Sequence, residues 1–190
     1  MPSTTCSSGS KRPSRQGKLP AGPLRALLCS LEARCHAVLG NVHDMQRATA
    51  AAEAALNSGD GDPAPSWAAW FDTAEFHVTA GVCEFIAAEH VPARAERAID
   101  LIRQGTVDRP TERVRSRAFD HIALARAYVR AGQPEAADTA TTKALTLMGA
   151  VHSTRVSDRL RELDAELQAA PSGRATADSR QRIRLALHPS

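Results

Sequence analysis

Gly132 and Pro134 constrain this chain more than any other pair of residues. Before them runs Phe119-Asp120-His121-Ile122-Ala123-Leu124-Ala125-Arg126-Ala127-Tyr128-Val129-Arg130-Ala131, and after them Glu135-Ala136-Ala137 continues to Lys143-Ala144-Leu145. Glycine suits the left-handed position just past a helix end. Proline suits the first turn of a helix, where its missing N–H costs nothing. The spacing therefore predicts a helix ending near Arg130, a tight turn, and a second helix reaching Met148. Small residues, Ala125, Ala137 and Ala144, fall where the two helices must touch closely.

The same unit appears near the start of the chain. Leu24, Leu27, Leu28, Leu31 and Cys35 follow helical spacing as the apolar stripe of a first helix to Leu39. Gly40-Asn41 ends it, and a second helix is expected from His43 to Leu56, with Met45, Ala48, Ala52, Ala55 and Leu56 inside. Ser58–Pro65 is a loop with strong breakers. Ser66 is a suitable N-cap for a long helix starting at Trp67, whose inner face spreads over Trp67, Trp70, Phe71, Ala74, Val78, Val82, Phe85 and Ile86. Val91-Pro92 breaks the chain before a shorter helix to about Arg103, with Ala95, Ala98, Ile99 and Ile102 inside. Gln104–Pro110 reads as a loop, and Thr111 as the cap of the helix to Arg130. A last helix, Thr154–Ala169, buries Val156, Leu160, Leu163 and Leu167 and presents a charged outer face, as a terminal capping helix should.

Composition agrees with an all-α fold. Apolar residues are 43% and aromatics only 4%, so Leu and Ala do the packing, whereas sheets favour β-branched and aromatic residues. The net charge of +3 divides unevenly. Residues 1–22 carry +4 and residues 171–190 carry +3, which leaves the body at −4. Nucleic-acid binding needs clustered cations, so an acidic body argues against direct nucleic-acid binding. Neither terminus shows an apolar stripe, and both are expected to be disordered basic tails around a folded domain at 23–170. Met1–Leu19 lacks the apolar core of a signal peptide, and no run approaches the ~18 apolar residues of a membrane span. A cytoplasmic protein is the expectation. Cys6, Cys29, Cys35 and Cys83 form no C-x-x-C pair and read as small buried side chains in a reducing compartment.

His121-x2-Leu124-Ala125-x2-Tyr128, followed by Gly132 and by Ala137-x3-Thr141, resembles a tetratricopeptide repeat. Leu124, Tyr128, Gly132, Ala137 and Ala144 match the pattern, while His121, Ala125, Thr141 and Gly149 depart from it. Gly40 and Gly132 lie 92 residues apart, about 46 per repeat, against ~34 for a standard unit and ~40–47 for HEAT or armadillo units. The Ser58–Pro65 loop and the long Trp67 helix absorb the extra length. The resemblance implies a right-handed helical-repeat solenoid of three helix pairs plus a C-terminal capping helix. Further matches are Ala33-Arg34-Cys35-His36-Ala37 with Gly40, Trp67-x2-Trp70-Phe71-Asp72-x2-Glu75, Val114-Arg115-Ser116-Arg117-Ala118 and Arg159-Leu160-Arg161-Glu162-Leu163. In these the body is similar to the C-terminal repeat region of helix-turn-helix transcriptional regulators of high-GC bacteria. That family's repeats sense a peptide or protein. No helix-turn-helix precedes Leu24, so DNA binding does not carry over.

Catalytic signatures are scarce. The seven histidines form no H-E-x-x-H and pair with no cysteine at metal-ligand spacing. Neither a nucleophile elbow nor a Walker loop appears, and Gly59-Asp60-Gly61 sits in an acidic loop that would repel phosphate. No cofactor is expected. The enzyme alternative rests on Asp72, Glu75 and His77, which should converge in one closed pocket if they do acid–base work. His121 reads as a packed, hydrogen-bonded core residue, with a pH switch as the alternative.

A binding role is better founded. The resemblance implies that the first helix of each pair lines a concave groove. Arg34 and Arg126 hold equivalent positions in the Gly40 and Gly132 registers. Projecting into one groove, two guanidiniums suit a carboxylate or an acidic peptide; the alternative is that they pair with Asp or Glu of neighbouring helices. Phe119, Ile122 and Phe76 complete the expected partner-binding groove for a protein or peptide.

Overall fold

The computed structural model describes residues 22–58, 65–149 and 153–188. Gly40 and Gly132 are the positive-φ residues among them, at 73° and 71°. Both end their helices with the same bonds. Gly40 N–H donates to Ala37 O and Asn41 N–H to His36 O; Gly132 N–H donates to Val129 O and Gln133 N–H to Tyr128 O. These are two Schellman turns in matching register, so the two turns on which the repeat reading rests are the same turn.

The eight described helices are α1 (Gly22–Val38), α2 (Val42–Asn57), α3 (Thr73–Ala87), α4 (Arg94–Asp108), α5 (Val114–Arg130), α6 (Pro134–Met148), α7 (Thr154–Ala169) and α8 (Arg174–Leu187). The protein is all-α. Consecutive helices pack as pairs, α1 on α2, α3 on α4, α5 on α6 and α7 on α8, consistent with a helical repeat. The first helices also touch in series, α1 with α3, α3 with α5 and α5 with α7. One apolar cluster runs from Phe85 and Ile102 through Ile122 and Leu160 to Ile183, and two smaller ones fill the space between α1, α2 and α3.

Several expectations are corrected. Within the segment expected to be a disordered tail, 171–190, the described residues 174–187 form α8, which closes a fourth pair and buries Thr176, Ser179 and Ile183. Its arginines are not free either. Arg182 and the Ser179 hydroxyl both donate to Asp138 on α6, and Arg180 donates to Asp164 on α7 at 2.9 Å. The positive end of the chain therefore neutralises acids of the body. Its apolar stripe is thin, Ile183 with a half-buried Leu187 among alanines and polar residues, which is why periodicity did not reveal it. The basic segment before Gly22 and the Gly59–Gly61 turn lie outside the described residues; Gly22 itself is buried in α1.

The face of α1 is also reversed. Ala26, Ser30, Ala33 and Ala37 are buried, while Leu28, Leu31 and Cys35 are exposed. Close approach to α2 and α3 selects the small residues over the large ones. Trp67 and Trp70 sit in turns, 63% and 46% exposed. Helix α3 starts later than expected because Asp72, not Ser66, supplies the cap: in extended conformation, its carboxylate accepts the Glu75 N–H at 2.9 Å. Helix α4 continues through the expected loop to Asp108. Gly105 permits this, since a Cβ there would sit 2.5 Å from Ala74 O and 2.7 Å from Val78 Cγ2. Helix α5 begins at Val114, past Thr111.

Candidate functional site

Side chains from α1, α3, α5 and α7 line one groove with a volume of about 400 Å³. Arg34 enters from α1, Phe85 from α3, Phe119, Ile122 and Arg126 from α5, and Arg155 from α7. Four of the five expected groove residues are thus brought together. Phe76 is not: it packs with Ala26, Ala52 and Phe71 in the core between the first two pairs.

Within the groove, Arg34 and Arg126 differ. Arg126 is 20% exposed and committed to α7. It donates from Nε and Nη2 to Glu166 and from Nη1 to Glu162 at 2.8 Å. Its guanidinium also lies 5.0 Å from the centre of the Phe85 ring. Burial pulls its pKa down, but Glu166 and Glu162 outweigh that and raise it further, so it is a permanent cation already neutralised. Arg34 is exposed and has no ion-pair partner among the described residues. Arg155, which sequence reasoning missed, is in the same condition, and its guanidinium lies 6.0 Å from the Phe119 ring centre, with that of Arg115 at 5.8 Å. Phe119 therefore has two cations within reach of its ring.

The acids of the groove are all engaged. Glu89 takes Arg130 at 3.3 Å. Glu75 and Asp120 share Arg109, which is 1% exposed. Its Nη1 donates to Glu75 at 2.8 Å, and its Nε and Nη2 form a fork onto both oxygens of Asp120. One guanidinium thus ties the end of α4 to α3 and α5. Burial pushes the Asp120 carboxyl up to about 6, against the pull of Arg109. Burial tends to lower the Arg109 pKa, yet Asp120 and Glu75 raise it on balance.

The residues of the enzyme alternative have separate employment. Asp72 caps α3 and pairs with Arg113 at 2.9 Å, Glu75 holds Arg109, and His77 Nδ1 lies 3.9 Å from Asp108. Of the three, only Glu75 lines the groove. Burial pushes the Cys83 thiol up to about 12, so it carries no thiolate near neutrality. Cys35, expected to be buried, is exposed.

A second, larger cavity of about 860 Å³ opens between α4 and α6, floored by α5. Arg117, His121, Leu124 and Tyr128 reach it from α5. Their i, i+4, i+7, i+11 spacing puts them on one helical face, a signal present in the sequence but not extracted from it. His121 is packed as expected, at 7% exposure, but its Nδ1 is buried without a hydrogen-bond partner. Burial, helped by the charges of Lys143 and Arg117, pushes its pKa down to about 4.

Among the described residues, no helix is long and apolar enough to cross a membrane, and no group of three or more His, Cys, Asp or Glu side chains is placed to hold a metal ion. Comparison with protein-family models, with curated proteins and with solved structures gives no match.

Proposed function

We propose that the chain is a non-catalytic, tetratricopeptide-like module that binds an acidic segment of a protein partner along the α1–α3–α5–α7 groove. The observation that carries this reading is the charge accounting of the groove. Glu75, Glu89 and Asp120 are neutralised internally, as are Arg126 and Arg159, which leaves Arg34 and Arg155 as cations without partners among the described residues, with Phe119 beside Arg155. Arginine and aromatic side chains are the residue types that most often anchor such contacts. The matching Gly40 and Gly132 turns support a repeat of tetratricopeptide type, extended to four pairs, in a right-handed array. The resemblance to repeat regions of bacterial regulators makes transcriptional regulation or signalling the natural setting.

Selection from a random 12-residue peptide display library tests the reading. Peptides retained by the protein should be enriched in Asp and Glu and be released by salt. Retention of peptides with no acidic bias, or of acidic peptides that bind an Arg34→Glu/Arg155→Glu variant equally well, would overturn it.

A further inference from the structure

We propose that the cavity between α4 and α6 is a separate site for a small organic molecule bearing a phosphate group, held by Arg117 and Lys143 with its apolar part over Leu124, Tyr128 and Leu147. The lining contains Arg103, Arg109, Arg117, His121 and Lys143 and no carboxylate. Two of these cations are spent elsewhere: Arg109 on Asp120 and Glu75, Arg103 on Asp100 at 2.5 Å. Arg117 and Lys143 have no ion-pair partner among the described residues, and they approach from two different helices, α5 and α6.

Buried polar atoms in a folded protein are nearly always hydrogen-bonded, and exceptions ask for an explanation. Two exceptions belong to residues that line this cavity. The Nε of Arg117 and the Nδ1 of His121 are both buried without partners, one turn apart on α5. An anion held by the outer guanidinium nitrogens of Arg117 would give these two donors a partner after a small turn of either side chain. The threonine hydroxyls on the rim do not compete for this role. Thr106, Thr139, Thr142 and Thr146 each donate to the carbonyl four residues back in their own helix. Two cations suit a phosphate dianion better than a single carboxylate. The volume of about 860 Å³ lies within the ~300–1,000 Å³ usual for small-molecule sites, and Val107, Leu124, Ala140 and Leu147 give the lining an apolar part. The site stands apart from the proposed peptide groove, since the two share no lining residue.

The probe is phenyl phosphate, titrated into the full chain at constant ionic strength while the His121 imidazole resonances are followed by NMR, with assignment from a His121→Gln variant. Benzoate and sodium chloride serve as parallel titrants. A saturable shift of His121 is expected with phenyl phosphate, at least about tenfold weaker with benzoate and absent with chloride. Lys143 is exposed, so Lys143→Gln should keep the fold and weaken phenyl phosphate at least about tenfold, as should Arg117→Gln. The proposal is overturned if His121 shows no saturable shift, if benzoate binds as well as phenyl phosphate, or if both variants bind as the parent does.

Discussion

The Arg126 guanidinium embraces the Glu166 carboxylate, with Nε 3.1 and 3.0 Å from its two oxygens and Nη2 2.6 Å from one of them. This pair clamps α5 to α7 across the floor of the groove. The side chain that sequence position marks as a ligand for a partner's carboxylate has found that carboxylate within its own fold.

Arg126→Ala should therefore act on stability. It strips Glu166 of its counter-ion, leaves Glu162 with Arg159 alone, and removes the contact with the Phe85 ring. A loss of about 1–3 kcal/mol in urea unfolding is expected, reduced by partial solvent access. An unchanged midpoint would show that the clamp contributes nothing.

Gly132→Val isolates backbone strain. A Cβ at Gly132 meets nothing within 4 Å, yet φ is 71°. The cost, about 1–2 kcal/mol, is then conformational alone. A neutral result would mean that the α5–α6 turn relaxes readily into another form, and the register argument built on it would lose its footing.

Helix α8 gives the third expectation. Ile183 is fully buried against the main cluster, so Ile183→Ala should cost about 2–4 kcal/mol, and removing residues 171–190 should lower the melting temperature by several degrees. Intact stability after truncation would return this segment to the status of a tail.

These cases show what the sequence could and could not reveal. The Gly40 and Gly132 turns were legible because positive φ demands a specific residue. The faces of α1 were not, because the pattern of large apolar residues pointed to Leu28 and Leu31 while close packing selected Ala26, Ser30, Ala33 and Ala37. Helix α8 was hidden because its apolar contacts are few, Ile183 and Leu187, and its ion pairs to Asp138 and Asp164 are invisible to periodicity. Register brought Arg34, Phe119, Ile122 and Arg126 onto one lining, but register cannot say that Arg126 meets α7 acids 36 and 40 residues away or that Arg155 has no ion-pair partner among the described residues.

His121 predicts a pH dependence. Its folded pKa of about 4 lies below the ordinary 6.5, because burial and the nearby Lys143 and Arg117 disfavour the charged ring. The unfolded chain then binds the extra proton between those values, so this residue's contribution is present above pH ~6.5 and is lost as pH falls towards ~4. Its size is on the order of 2 kcal/mol after allowance for relaxation. Arg103 and Arg109 also line the cavity, each paired with its own carboxylates. Asp120, with a raised pKa of about 6, has the opposite sign and loses stability as pH rises from about 4 to 6. A His121→Gln variant should therefore lose stability less steeply than the parent between pH 6.5 and 4. Parallel curves would show that the ring titrates alike in both states.

The most direct test of the groove is a fluorescence-anisotropy titration of a selected acidic peptide against charge-reversed variants. Arg34→Glu and Arg155→Glu should each weaken binding by about tenfold or more, and the double variant more than either, with melting temperatures held within a few degrees. Arg47→Glu, an equal charge change on α2 outside the groove lining, should change affinity by less than about twofold to threefold. If the double variant binds the peptide as tightly as the parent, or if Arg47→Glu weakens it equally, the acidic segment does not bind along α1, α3, α5 and α7.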